Sequence, residues 1–282
     1  MQRIPEGRSG AVAGDGGKRQ PVLIQHGILV DGMSWLLNPA DQNLPLLLAD
    51  QGFDVWMGNT RGTRFSRRHK YLNPSQRAFW NWTWDELVSY DLPAMFDHIH
   101  GLTGQKIHYL GHSLGTLIGF ASFSEKGMVD QVRSAAMLSP VAYLSHMTTV
   151  IGDIAAKSFL AEATAILGWP EFNPKSGKGQ GIEKIQLWKQ WFQHKTLRAS
   201  DTTGIQHIGD PTRPSTFFSY GGLDSLADVK DVEFLLDQFK YHDIDKMNVQ
   251  FVKDYAHADF IMGVTAKDVV YNHVATFFKR QS

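Results

Sequence analysis

Between the apolar run Ile107-His108-Tyr109-Leu110 and the apolar stretch that begins at Leu114 stand the residues Gly111-His112-Ser113-Leu114-Gly115. A strand that passes directly into a helix through a single serine turns so tightly that no side chain fits beside it. Glycine two positions to either side of Ser113 meets that demand. The spacing predicts a strand, a strained turn with Ser113 at its tip, and a helix packed back on the sheet.

The rest of the chain agrees with such a sheet. Runs rich in β-branched and aromatic residues recur at Val22 to Gln25, Phe53 to Met57, Ile107 to Leu110, Ser134 to Leu138, Thr216 to Tyr220 and Val249 to Val252, with helical segments between several of them. That alternation predicts an α/β fold, a mostly parallel sheet with helices on both faces and a crevice outside the carboxyl ends of the strands. Thr83 with Glu86 reads as a capping box. Asp91 reads as an N-cap before Leu92-Pro93, which would keep Pro93 out of a helix interior. From Val141 to Pro214 the strand rhythm stops and helical stretches take over, at Ile151 to Leu167 and Ile182 to Leu197, joined by the Gly- and Lys-rich Lys175 to Gly181. The expected organisation is a core in two parts, 1–140 and 215–282, with a helical cap inserted at 141–214.

Composition narrows the chemistry. With 282 residues the chain suits one large domain with an insertion, and Lys plus Arg equals Asp plus Glu at 28 each. That balance offers no footprint for a nucleic-acid backbone or an anionic membrane surface. The absence of cysteine removes thiolate catalysis and disulfides. No stretch approaches the eighteen or so apolar residues of a membrane-spanning helix. The first twenty residues lack the apolar run of a secretory signal, so as written the chain is expected in the cytosol. The sequon Asn81-Trp82-Thr83 would matter only on a secretory route.

A serine hydroxyl is a poor nucleophile until a base takes its proton, and a neutral histidine held by a carboxylate suits that task. In an elbow-bearing sheet the chain order is serine, acid, histidine. Asp224 follows the strand Thr216 to Tyr220 through Gly221-Gly222, and His257 follows the strand ending at Val252, so both are expected beside Ser113. Asp228, Asp254 and Asp259 are rival carboxylates, read as solvated or capping groups. For the oxyanion, Leu114 N–H is one expected donor, and Ile28 N–H, in the loop His26-Gly27-Ile28, is the second. His26 reads as an orienting or packing residue. Twelve histidines without ligand spacing argue against a metal, Gly14 to Lys18 lacks the context of a phosphate loop, and Trp80, Trp82 and Trp84 read as core or rim. No cofactor is expected.

Several ordered motifs resemble the acid lipase family, which includes gastric and lysosomal lipases. They are Gln25-His26-Gly27-Ile28-Leu29, Phe53-Asp54-Val55-Trp56, Asn59-Thr60-Arg61-Gly62, Trp84-Asp85-Glu86-Leu87, Tyr90-Asp91-Leu92-Pro93-Ala94, Gly111 to Thr116, and Asp254 to Phe260. The Leu114 variant is most similar to the plant triacylglycerol lipase branch. The resemblance implies an α/β-hydrolase fold, cleavage of triacylglycerols or sterol esters, a triad of Ser113, Asp224 and His257, and oxyanion donors at Ile28 and Leu114. It also implies a secreted, lysosomal or vacuolar setting. Set beside the family, the chain as written is expected to lack a leader and an early strand or two before Met1, and to have a shortened cap, with the lid portion absent between Pro174 and Ile182 and a second shortening before Pro214.

The expectation is therefore a serine ester hydrolase acting on acylglycerols or other apolar esters through an acyl-enzyme on Ser113, with transient contact to lipid surface and no nucleic-acid partner. Two other readings share these residues. One is a non-catalytic binding module that keeps an apolar pocket. The other is an acyltransferase in which an alcohol replaces water.

Overall fold

Alternate residues along the central strands feed two separate cores, one on each face of a single sheet. In the computed structural model, which describes residues 1–8, 18–124, 128–146, 214–239 and 244–282, the strands are β1 (Gln2–Ile4), β2 (Pro21–Gln25), β3 (Asp54–Met57), β4 (Ile107–Ser113), β5 (Val132–Pro140), β6 (Ser215–Gly221) and β7 (Met247–Val252). Leu23, Trp56, Tyr109, Met137 and Phe218 enter one core; Val22, Ile24, Val55, Leu110, Leu138 and Phe217 enter the other. Strands buried on both faces read as continuous apolar runs, which is why these segments were legible as strands. Helices α1 (Leu44–Asp50), α2 (Leu92–Thr103), α3 (Leu114–Ser124), α4 (Val229–Gln238) and α5 (Asn272–Gln281) close the two faces. Leu92, Phe96, Leu117, Phe120 and Leu235 face the first core; Leu44, Leu48, Val274 and Phe278 face the second. Truncating a fully buried ring such as Phe218 to alanine would cost about 3–5 kcal/mol, a large share of a domain's stability.

The strand order is β1-β3-β2-β4-β5-β6-β7, parallel throughout except for β1, which runs antiparallel on β3. β4 is central, so the turn after it opens in the middle of the crevice. β1 is an element that the sequence pattern did not predict. Three residues at an edge carry no periodic signal, and what holds them is specific: the Arg3 guanidinium donates to both oxygens of Asp54, at 2.8 and 2.9 Å, and lies over the Trp56 ring.

The capping box is present, with Thr83 N donating to the Glu86 carboxylate at 2.6 Å and the Thr83 side chain accepting within the first turn. Asp91 corrects the expectation made for it. It has helical backbone angles and makes no capping bond, because the helix does not restart there: a π turn at Leu87–Asp91 carries Trp84–Glu86 straight into α2. The wide turn accommodates Pro93, which has no N–H for an ordinary helical bond. The Asp91 carboxylate instead accepts from Arg61 N at 2.8 Å and Arg61 Nε at 2.7 Å. The expected helices Ile151 to Leu167 and Ile182 to Leu197, and the connector Lys175 to Gly181, lie outside the described residues, as does most of the 141–214 segment.

Candidate active site

Ser113 stands at the junction of β4 and α3 with φ +56°, the left-handed region that a serine rarely occupies. Such strain persists only where the surroundings over-determine it. The Thr116 hydroxyl donates to Ser113 O at 2.6 Å and accepts from Val141 N at 2.8 Å, and the Tyr109 hydroxyl donates to Gly115 O at 2.6 Å. A Cβ on Gly115 would lie 2.7 Å from Gln25 O, so the turn closes against the end of β2 only because this residue has no side chain. The sequence spacing foresaw the glycines. Thr116 and Tyr109 were missed as supports, since nothing local marks a hydroxyl that bonds across a turn.

The loops after β6 and β7 meet beside this turn. Gly222 N donates to Val252 O and Leu223 N to Tyr255 O, both at 3.0 Å, which ties the Asp224 loop to the His257 loop. His257 Nδ1 lies 3.0 and 2.9 Å from the two carboxylate oxygens of Asp224. Both oxygens only accept, so Nδ1 carries a proton, and in the neutral ring the lone pair is on Nε2. Burial alone would raise the Asp224 carboxyl. The hydrogen bond and charge of His257, with bonds from Ala227 N and Leu226 N, outweigh it and hold the group below its ordinary value.

The rival carboxylates go elsewhere. Asp228 caps α4 through Lys230 N at 2.9 Å, Asp259 accepts from Ala256 N at 2.7 Å, and Asp254 is exposed. Ser113 Oγ is buried and makes no hydrogen bond among the described residues, so the serine-to-histidine contact is not closed. Catalytic hydrogen bonds are often open before substrate arrives.

On the other side of Ser113 lies the loop that follows β2. A Cβ on Gly27 would sit 3.0 Å from Ser113 Cβ and 3.2 Å from His112 Nδ1, so this backbone approaches the serine as closely as any can. Ile28 and Leu114 line one small cavity of about 30 Å³ together with Thr60, Gly62 and Trp82. His26 is buried behind the loop; Nδ1 donates to Gly27 O at 2.7 Å and Nε2 accepts from Thr60 N at 3.3 Å. Both ring nitrogens bond to backbone, in keeping with the orienting or packing role expected of it. Trp80 and Trp82 are buried against Gly62, as expected of core residues. No helix among the described residues is long and apolar enough to cross a membrane.

Comparison with known proteins gives the family. Residues 20–176 match the alpha/beta hydrolase fold family. The chain is 73% identical to triacylglycerol lipase 2 of Arabidopsis thaliana over 341 positions, covering 100% of this chain and 82% of the relative. That match is longer than the 282 residues of the chain, so the relative carries residues inside the matched stretch that this chain lacks. It is 30% identical to the human lysosomal acid lipase/cholesteryl ester hydrolase, covering 99% of this chain and 84% of the relative. Among solved structures, a monoacylglycerol lipase of Paleococcus ferrophilus superposes with a TM-score of 0.59 at 13% identity, covering 94% of this chain and 97% of that one, a likeness of fold. A strained serine at a strand-to-helix turn and relatives that match nearly all of this chain lead to one assignment: the chain belongs to the acid lipase family of serine ester hydrolases, built on the α/β-hydrolase fold.

Proposed function

We propose that this enzyme cleaves acylglycerols or other apolar esters through an acyl-enzyme on Ser113, with His257 as general base, Asp224 as its orienting acid, and Ile28 N–H and Leu114 N–H as oxyanion donors. The observation that carries the reading is the bond of His257 Nδ1 to Asp224 at the strand ends beside Ser113. In the neutral ring that bond puts the lone pair on Nε2, and only that nitrogen is then a base.

In the first half-reaction Ser113 Oγ attacks the ester carbonyl carbon while its proton passes to His257 Nε2. The imidazolium that forms is stabilised by the ionised Asp224, and the oxyanion by the two backbone donors. Collapse breaks the bond to the alcohol oxygen, which takes the proton from Nε2 and leaves. Water then attacks the acyl-enzyme by the same route, releasing the carboxylic acid and restoring Ser113. The two relatives named above are a triacylglycerol lipase and a lysosomal acid lipase/cholesteryl ester hydrolase, which supports an apolar ester as substrate.

The test is acid release from tributyrin followed by titration, with wild type and Ser113→Ala side by side. Acid release by wild type that disappears in the variant supports the reading. Equal rates would sink it.

A further inference from the structure

We propose that His112 is a positioning residue for the general base, holding the main chain of His257 so that its Nε2 faces Ser113. The inference rests on the site reading above and adds a residue that reading does not use. His112 immediately precedes Ser113 on β4, is buried, and its Nε2 lies 2.9 Å from the carbonyl oxygen of His257. A carbonyl oxygen only accepts, so Nε2 must carry the proton and donate it. The bond spans 145 positions of sequence and joins the strand that ends in the nucleophile to the loop that carries the base.

Two restraints then act on one imidazole. Asp224 fixes the ring at Nδ1, and His112 fixes the backbone from which the ring hangs. With both in place, the remaining freedom of Nε2 relative to Ser113 is small. This matters because Ser113 Oγ itself makes no hydrogen bond among the described residues and cannot hold the base in advance. Reacting groups displaced by about 1 Å can lose a factor of roughly a hundred in rate.

The His112 ring is also suited to stay neutral while it does this. Its Nδ1 is buried without a hydrogen-bond partner among the described residues, so a proton added there would lack an acceptor among them. Burial first, and then the nearby His257, lower its pKa to about 3. The two rings lie 4.9 Å apart, centre to centre. A second cation at that distance would oppose the imidazolium that His257 becomes in each half-reaction. A neutral donor supplies the restraint without the charge.

The test compares His112→Phe, which keeps an apolar ring and removes the donor, with His112→Gln, whose side-chain amide restores an N–H at similar reach. Measured quantities are kcat and KM on p-nitrophenyl butyrate, the rate of fluorophosphonate labelling at Ser113, and the thermal midpoint. His112→Phe is expected to lose about tenfold to a hundredfold in kcat, with KM within about twofold and the labelling rate falling in parallel. His112→Gln is expected to recover most of that loss. If the phenylalanine variant does not fold, the glutamine variant decides alone: kcat within about fivefold of wild type supports the proposal, and any deeper loss in a folded protein overturns it. A folded phenylalanine variant with wild-type kcat, or equal losses in both variants at equal thermal midpoints, also overturns it. Wild type that takes no label at Ser113 would overturn the site reading first, and this inference with it.

Discussion

The Nδ1–H of His257 reaches both carboxylate oxygens of Asp224, at 3.0 and 2.9 Å, so the imidazole is fixed in the tautomer that accepts a proton at Nε2. Asp224→Asn offers an amide that favours the opposite tautomer. Its kcat is expected to fall by about four orders of magnitude. Asp228→Asn is expected to be nearly silent, because asparagine caps a helix as well as aspartate does and, among the described residues, the Asp228 carboxylate bonds only to α4. Steady-state kinetics of the two variants separates them, and reversed losses would mean that the acid is misassigned.

Gly27 carries a different prediction. In Gly27→Ala the new methyl meets Ser113 Cβ at 3.0 Å and His112 Nδ1 at 3.2 Å, so the loop must retreat and take Ile28 N–H with it. Loss of one oxyanion donor costs about a hundredfold to a thousandfold in kcat, while the local overpacking costs about 1–3 kcal/mol. Kinetics alongside urea unfolding resolves the two effects. Unchanged kcat would remove Ile28 from the oxyanion site.

Two buried histidines contribute to the response of stability to pH. His112, and His108 between Phe53 and Phe278, are both lowered by burial from 6.5 to about 3, His108 with a further push from Arg133. Between those limits the unfolded chain binds protons that the folded chain refuses. Stability is therefore full above pH 6.5 and falls as the pH drops toward 3, by about 1.4 kcal/mol per pH unit for each histidine in mid-window. Asp224, lowered below its ordinary 3.8, adds a further loss only as the pH falls through that lower range. Urea unfolding at pH 7, 6, 5 and 4.5 checks the slope, and His108→Phe is expected to reduce it by about one proton's worth. An unchanged slope in that variant would contradict this account.

Substrate presentation follows from length. The Arabidopsis relative carries residues within the matched stretch that this chain lacks, and the family resemblance leads us to expect the shortening in the cap. Lids of lipases couple turnover to a lipid surface, so the shorter chain is expected to hydrolyse soluble esters without a rate jump and to be weak on long-chain emulsions. Rate against tributyrin concentration across its solubility limit measures this. A sharp rise once droplets form would show that interfacial coupling survives.

How far these features could be read in the sequence depended on whether their causes were local. The elbow around Ser113 was legible because the glycines that permit it sit within two positions of the serine, and Asp224 and His257 because each closely follows an apolar strand. β1 was not, since its hold comes from Arg3 reaching Asp54 some fifty residues away. Asp91 was misread for the same reason: Asp-Leu-Pro looks like a helix start, whereas its carboxylate serves Arg61 and the helix runs through a π turn. His112 stood inside the most visible motif and carried no signal of its own, because its partner is 145 positions away.

The central claim, that Ser113 is an activated nucleophile, is tested most directly by treating the folded protein with an active-site-directed fluorophosphonate and mapping the adduct by mass spectrometry. The account predicts one adduct per chain, on Ser113, lost in Ser113→Ala and formed far more slowly in His257→Ala at unchanged thermal midpoint. A folded wild-type protein that takes no label, or takes it on another residue, would contradict it.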